Sequence, residues 1–339
     1  MSVFFLTILI ILFNLIFYLK FDVISNFAFF DKPDGKLKRH SKPTSLIGGL
    51  VILINLYLII FFLTLLDIDN SIFKNNFLSA IIVLSTLFYL VGLIDDLKNL
   101  PPNIKLLSLI LSIFFVSYLV PEINLELVKI SFLKKTYYFN EYSFFFTTLS
   151  FLLLANAINM FDGINLQLIL FCLFIFIVFI IKGFLSLFFI LLSISFIFLG
   201  LLNFKNKVFI GDGGCYLISA LVGCSFIYQY QNYDNFLFGD EIFIILLIPS
   251  IDMLRLFISR IICKKHPFKG DLNHLHHIID SFIKNKNLTV LITLSLCIFP
   301  TLLMFLKLET YFILILNLIL YLGLISFFVI KKKKYKSSE

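Results

Sequence analysis

Phe151-Leu-Leu-Leu-Ala-Asn156-Ala-Ile-Asn159-Met-Phe-Asp162-Gly-Ile-Asn165-Leu-Gln-Leu-Ile-Leu-Phe171 joins two apolar runs, 142–159 and 164–181, through a short polar step. Both runs are continuously apolar, with no alternation, so they read as helices and not as barrel strands. Apolar runs of about 17–25 residues are long enough to cross a hydrocarbon core as helices. The same layout recurs along the chain, at about 3–19, 46–66, 77–94, 104–120, 184–202, 214–230, 241–258, 288–306 and 310–330. The expected fold is all-α: a polytopic integral membrane helix bundle with 10–11 transmembrane helices.

Composition agrees. The chain has 339 residues, 60% hydrophobic and 14% charged, with a mean hydropathy of +1.03. A soluble domain is about half apolar and a quarter charged, so an ordinary water-soluble fold is excluded. No polar tail or Gly/Ser linker divides the chain, and residues 1–339 read as one integral membrane domain. The first span lacks a basic leader and a small-residue cleavage site, so it reads as a retained helix. The five cysteines, Cys172, Cys215, Cys224, Cys263 and Cys297, form no C-x-x-C pair and read as buried free thiols.

The net charge of +8 is distributed by topology and does not point to nucleic acid. With eleven crossings, 22 of the 28 Lys and Arg residues fall on one side, including the run Lys331–Lys334. The positive-inside rule makes that side cytoplasmic, with the N-terminus outside and the C-terminus inside. All five histidines and the acidic motifs share that side, in loops at about 20–45, 95–105, 156–165, 203–214 and 255–287.

Five motifs carry the chemistry. Asp95-Asp96, before Pro101-Pro102 and Lys105, can bind Mg²⁺ or act as a base; alternatively it is a solvated helix end. Asn156 and Asn159 share a helical face just inside the apolar boundary, followed by Asp162-Gly163 and Asn165. Helix–helix hydrogen bonds would satisfy one such amide; two beside a carboxylate suggest a ligand- or metal-facing wall. Gly211-Asp212-Gly-Gly follows the extended run Lys207-Val-Phe-Ile, and its exposed N–H groups suit an anion if it is more than a turn. Asp252-Met-Leu-Arg255, Arg260 and Asp271-Leu-Asn-His274-Leu-His276-His277 concentrate basic and imidazole groups suited to a phosphorylated ligand. Asp31-Lys-Pro-Asp-Gly through His40 to Gly48-Gly49 is basic and turn-rich, and its glycine pair also suits close packing. Oxygen ligands, cationic phosphate binders and glycine-rich turns on one side suit phosphoryl transfer.

In this order, the motifs resemble the polyprenyl-phosphate N-acetylhexosamine-1-phosphate transferases (glycosyltransferase family 4), relatives of the phospho-N-acetylmuramoyl-pentapeptide transferases. The resemblance runs from Asp31 to His277. It implies a phosphotransferase that moves a HexNAc-1-phosphate, on the motif spacing GlcNAc-1-phosphate, from a UDP-N-acetylhexosamine to undecaprenyl (polyprenyl) phosphate. UMP leaves, in the first membrane step of cell-surface polysaccharide synthesis. It implies Mg²⁺, with Mn²⁺ as a possible substitute, and by analogy a homodimer. Carried over by position, Asp95, Asp96 and Asp162 are catalytic; Asp212 and Asn156 hold the metal. Asn159, Asn165, His274, His276, His277, Lys105 and Arg255 bind substrate. The chain departs from the family at Asn165, where many members carry a second aspartate. Direct attack by the lipid phosphate and an aspartyl-phosphate route both remain open at this point. The alternative class is a secondary transporter with an interfacial substrate site, against which stands the absence of a clear half-to-half repeat.

Overall fold

A computed structural model describes residues 2–27, 29–31, 43–66, 76–232, 237–265 and 271–336. Asp34, His40 and the basic residues between them, with His266 and Lys269, lie outside the described residues. The chain forms two compact units, Met1–Leu127 with Tyr138–Phe236, and Val128–Tyr137 with Leu237–Glu339.

The first unit holds α1 (Ser2–Leu19), α2 (Phe21–Ile24), α3 (Gly48–Leu65), α4 (Phe77–Lys98), α5 (Pro102–Leu119), α6 (Ser143–Phe161), α7 (Gln167–Ile181), α8 (Ser186–Phe204) and α9 (Gly211–Asn232). Strands β1 (Phe30–Asp31) and β2 (Thr44–Ser45) pair antiparallel, Phe30 with Ser45. The second unit holds α10 (Gly239–Ile245), α11 (Leu247–Ile262), α12 (Leu275–Ile283), α13 (Lys286–Phe305) and α14 (Thr310–Lys336), with most of the paired strands β3 (Leu127–Ile130) and β4 (Lys135–Tyr138).

Helices occur at all eleven expected places. Among the described residues, eight are long and apolar enough to cross a membrane, or nine if α10 and α11 count as one broken span. This is a polytopic helical membrane protein. The outer faces carry large apolar side chains such as Phe4, Tyr118 and Ile262 in the open, a surface suited to lipid and not to water. Inside the first unit, Asn14 of α1 and Asn55 of α3 exchange side-chain hydrogen bonds at 2.8 and 3.2 Å. Each amide thereby meets a partner at a depth where water cannot supply one.

Two expected spans fall outside the eight for different reasons. Helix α7 has 15 residues. Helix α9 has 22, but it is packed against α3, α4 and α6 and buried from Gly213 to Tyr230. Neighbouring helices, not lipid, cover it, so it tolerates glycine, serine and glutamine along its length.

A third expected span, 241–258, is bent by 79° between α10 and α11. The break follows from Pro249, which has no N–H to offer the carbonyl of Ile245 and so ends α10. Three residues into α11 the same proline is harmless, because first-turn N–H groups have no helical acceptor anyway.

Candidate active site

Helix α4 continues one turn beyond its expected end and stops at Lys98, where Asn99 takes a left-handed conformation (φ 50°). That extra turn carries Asp95 and Asp96. Asp96 faces α9: its Oδ1 accepts the Asp212 N–H at 3.0 Å and its Oδ2 the Gly213 N–H at 3.1 Å. A carboxylate here satisfies two orphan donors and faces the positive end of the helix dipole. One turn earlier on the same face, Gly92 lets α9 come close; a Cβ there would lie 2.5 Å from the Asp212 carbonyl. Gly49 is likewise pressed on Gly214, where a Cβ would meet the Gly214 nitrogen at 2.6 Å. Gly48-Gly49, Gly92 and Gly213-Gly214 are thus the seam along which three helices meet.

The segment before α9 is pinned from the other side. The expected extended run 207–210 lies along 45–49, with the Phe209 N–H donating to Ser45 O at 2.8 Å and the Gly49 N–H to Ile210 O at 3.1 Å. Asp212 therefore leaves this turn in a defined place, its side chain about a third exposed. Asp95 is buried. Its Oδ1 accepts the Leu100 N–H at 2.9 Å and its Oδ2 pairs with Lys105 Nζ, from the first turn of α5. The same Nζ lies 3.9 Å from Asp212 Oδ2. Three carboxylates and one ammonium are thus gathered from three helix ends.

Helix α6 brings the amides. Asn156 Nδ2 donates to its own helix at Leu152 O, 2.7 Å away. The Asn159 side chain lies beside the Tyr216 hydroxyl of α9. Asp162, just beyond α6, accepts from Cys215 Sγ at 3.5 Å. Burial pushes the Asp162 carboxyl up to about 6; the Cys215 contact lowers it and the charge of Asp96 raises it. A carboxyl easier to protonate folded than unfolded stabilises the fold at low pH, and that contribution is lost as pH rises from the ordinary carboxylate range through about 6. Asp162→Asn should therefore gain thermal stability over wild type as pH is raised from about 5 to about 8. A difference in melting temperature that is flat across that window would refute the assignment.

Asn165 is occupied structurally. Its Nδ2 donates to Asn203 O at 2.8 Å and to Asn206 Oδ1 at 2.7 Å. Asn203 in turn accepts the Leu166 N–H at 2.6 Å and donates to Val208 O at 2.8 Å. This couples the 162–166 loop to the strand-like run ahead of Asp212. A carboxylate at 165 would face the Asn203 carbonyl with no proton to give. Asn165→Asp should lower stability by roughly 0.5–1.5 kcal/mol, the net worth of an intramolecular hydrogen bond, because the site is half-buried. Unchanged thermal unfolding would show the clamp to be dispensable.

In the second unit, Asp252 of α11 is a buried hub. Its Oδ1 accepts Arg255 Nη2 and the Tyr321 hydroxyl, each at 2.7 Å. His274 Nδ1 lies 3.2 Å from Oδ2, and the Leu275 N–H, opening α12, reaches both oxygens at 3.2 Å. Arg255 also donates to Asn273 O at 2.6 Å. Arg260 Nε meets Asp271 Oδ2 at 2.9 Å. The three imidazoles form one cluster, with ring centroids of His276 and His277 4.2 Å apart and those of His274 and His276 5.4 Å apart. Burial, then His277 and His274, pull the His276 pKa well below the imidazole range.

Residues 78–230 match the profile of glycosyl transferase family 4. The resemblance drawn from the motifs is borne out. The chain is also 28% identical over 291 residues to the undecaprenyl-phosphate alpha-N-acetylglucosaminyl 1-phosphate transferase of Thermotoga maritima, covering 81% of this chain and 82% of that protein.

The family-matched region takes in Asp95, Asp96, Lys105, Asn156, Asn159, Asp162, Asn165 and Asp212, all within the first unit. Arg255, His274, His276 and His277 lie outside it, in the second. A family metal has oxygen donors to use in the first unit. Among the described residues no three His, Cys, Asp or Glu side chains form a closed ion cage. Mg²⁺ does not need one, because it keeps waters and takes phosphate oxygens beside one or two carboxylates. Asp95 and Asp212 already share a cation, Lys105 Nζ, so the pair suits a hard positive charge. Asp96 is committed to α9. Two residues that sequence reasoning did not single out as site residues, Asp252 and Asn203, prove to be hubs. Asp252-Met-Leu-Arg255 gave a signal in its i,i+3 charge pair; Asn203, next to Phe204-Lys205, gave none.

Proposed function

We propose that this protein transfers GlcNAc-1-phosphate from a UDP-sugar to undecaprenyl phosphate, releasing UMP, at the cytoplasmic face of a bacterial plasma membrane. Its similarity to the family and to the Thermotoga enzyme supports a sugar-phosphate transferase. The observation that carries the reading is the Asp95–Lys105–Asp212 cluster at converging helix ends.

In this reading an oxygen of the lipid phosphate attacks the β-phosphorus of the UDP-sugar. The bond from that phosphorus to the bridging oxygen breaks, and UMP departs with the electron pair. The sugar C1–O bond stays intact, so anomeric configuration is kept. A phosphate monoester with a second pKa of about 6 is largely dianionic at neutral pH and needs little help from a base. Both oxygens of Asp96 accept backbone N–H groups, and both oxygens of Asp95 are held by Leu100 N–H and Lys105. Neither is poised as a nucleophile, which favours direct attack over an aspartyl-phosphate. Mg²⁺ held by Asp212, with Asn156 or Asp95, would supply charge neutralisation of the diphosphate. Lys105 adds a fixed cation. The histidine cluster and Arg255 would contribute to binding the UDP-sugar.

Detergent-purified protein incubated with Mg²⁺, UDP-GlcNAc and a short polyprenyl phosphate should release UMP only when both substrates are present. No UMP with any UDP-HexNAc would overturn the proposal, and EDTA should stop the reaction if the ion is required. A transporter would release none.

A further inference from the structure

His274 is one of three clustered imidazoles, and its Nδ1 lies 3.2 Å from Oδ2 of the buried Asp252. Asp252 is held from four directions. Arg255 and Tyr321 occupy Oδ1, and the Leu275 N–H spans both oxygens. All of these partners donate, so the acid is surrounded by protons and carries none of its own. An ionised carboxylate can only accept, and the proton of the His274 contact must therefore sit on Nδ1. No described side chain or backbone group bonds His274 Nε2.

We propose that Asp252 is a positioning residue that fixes His274 with Nδ1–H turned inward, leaving Nε2 as the nitrogen offered to the anionic donor substrate. The arrangement follows the physics by which a buried aspartate sets the tautomer and orientation of a working imidazole. With Nδ1 committed, a lone pair on Nε2 can accept from a sugar hydroxyl or amide. A proton taken up on Nε2 would face a phosphate, with the Asp252 charge behind the ring to balance it. Arg255 and Tyr321 have a stated part in this: they hold Asp252 so that its second oxygen is the one left for His274. Only the kinetic consequence rests on the transferase reading; the tautomer assignment stands without it.

The substitution Asp252→Asn tests this with little change of shape. Arg255 can only donate, so the new amide must turn its oxygen to Arg255 and Tyr321 and its NH₂ to His274. That NH₂ donates to Nδ1 and drives the ring proton to Nε2. In full-length ¹⁵N-histidine-labelled protein in detergent, two-bond ¹H–¹⁵N correlations report which nitrogen is protonated, with His274 assigned by its loss in His274→Gln. Wild type should show a proton on Nδ1 and Asp252→Asn a bare Nδ1. Tyr321→Phe, which removes a donor from the same carboxylate but leaves the His274 contact, should keep the wild-type tautomer. In the UMP-release assay Asp252→Asn should lower kcat about 100-fold, with a smaller change in KM. A wild-type His274 with bare Nδ1 overturns the proposal. So does an Asp252→Asn protein that loses stability but keeps its tautomer, or one whose tautomer switches with kcat unchanged in an active enzyme. If the tautomers behave as stated and wild type makes no UMP, the transferase reading falls and this assignment does not.

Discussion

Asp212→Asn should abolish UMP release, by roughly 10³-fold or more, the scale seen when a group stabilising developing charge is removed. The protein should nevertheless stay folded. The turn that presents Asp212 is held through its backbone: its own N–H and that of Gly213 go to Asp96, and the preceding run is bonded to Ser45 and Gly49. The side chain itself is about a third exposed, with Lys105 Nζ 3.9 Å away. Neutralising it removes a cation-binding oxygen and part of the charge that draws Lys105 toward the turn, but no packing. UMP released per mole of enzyme per unit time, with melting temperature and elution profile on the same sample, separates the outcomes. Near-normal turnover in a folded variant would remove Asp212 from the mechanism.

Gly92→Ala should fail in the opposite way, through the fold. On propensity alone the change favours the helix by about 1 kcal/mol, so a gain in stability is the expectation wherever an exposed helix carries glycine. Here the added methyl would lie 2.5 Å from the Asp212 carbonyl carbon and oxygen and from Gly213 Cα. All three are backbone atoms in the first turn of α9, and no rotamer change relieves the clash. Moving α9 away breaks the two Asp96 bonds and opens the glycine seam at Gly49 and Gly214. The net effect should be a loss of about 1–3 kcal/mol or more, the usual range for overpacking, together with loss of activity. Thermal unfolding in detergent decides by its sign, and an alanine variant as stable as wild type would mean that the two helices are not in backbone contact.

The two substitutions show how function and architecture share a few residues. Gly92 and Asp96 sit four apart on α4 and act as one device, in which the glycine admits the end of α9 and the carboxylate holds it. The motif reading placed Asp96 among the catalytic carboxylates. In the structure both of its oxygens also accept backbone N–H groups at the start of α9. Asn165 is similar: expected to bind substrate, it spends its amide on Asn203 and Asn206.

Continuous apolar runs separated by polar steps were enough, in the one-dimensional chain, to establish a helical membrane protein and the places of its helices. Lipid sets the length and character of a span without reference to any neighbour. Rare residue types in an apolar background likewise marked Asp95-Asp96, Asn156, Asp162, Asp212 and the histidines, because a polar group at such a site is costly unless it has a use. Which use it has was decided only by tertiary contacts. Asp96 and Asp212 are separated by four intervening helices, as are Gly49 and Gly214 by five, and no local pattern specifies which helix ends meet. The break at Leu246 lay within reach of sequence through Pro249, and the Asp252–Arg255 pair through its i,i+3 spacing, whereas the role of Asn203 did not. A buried hydrogen-bonding group is defined by the partners that surround it, and those partners come from segments brought together by folding.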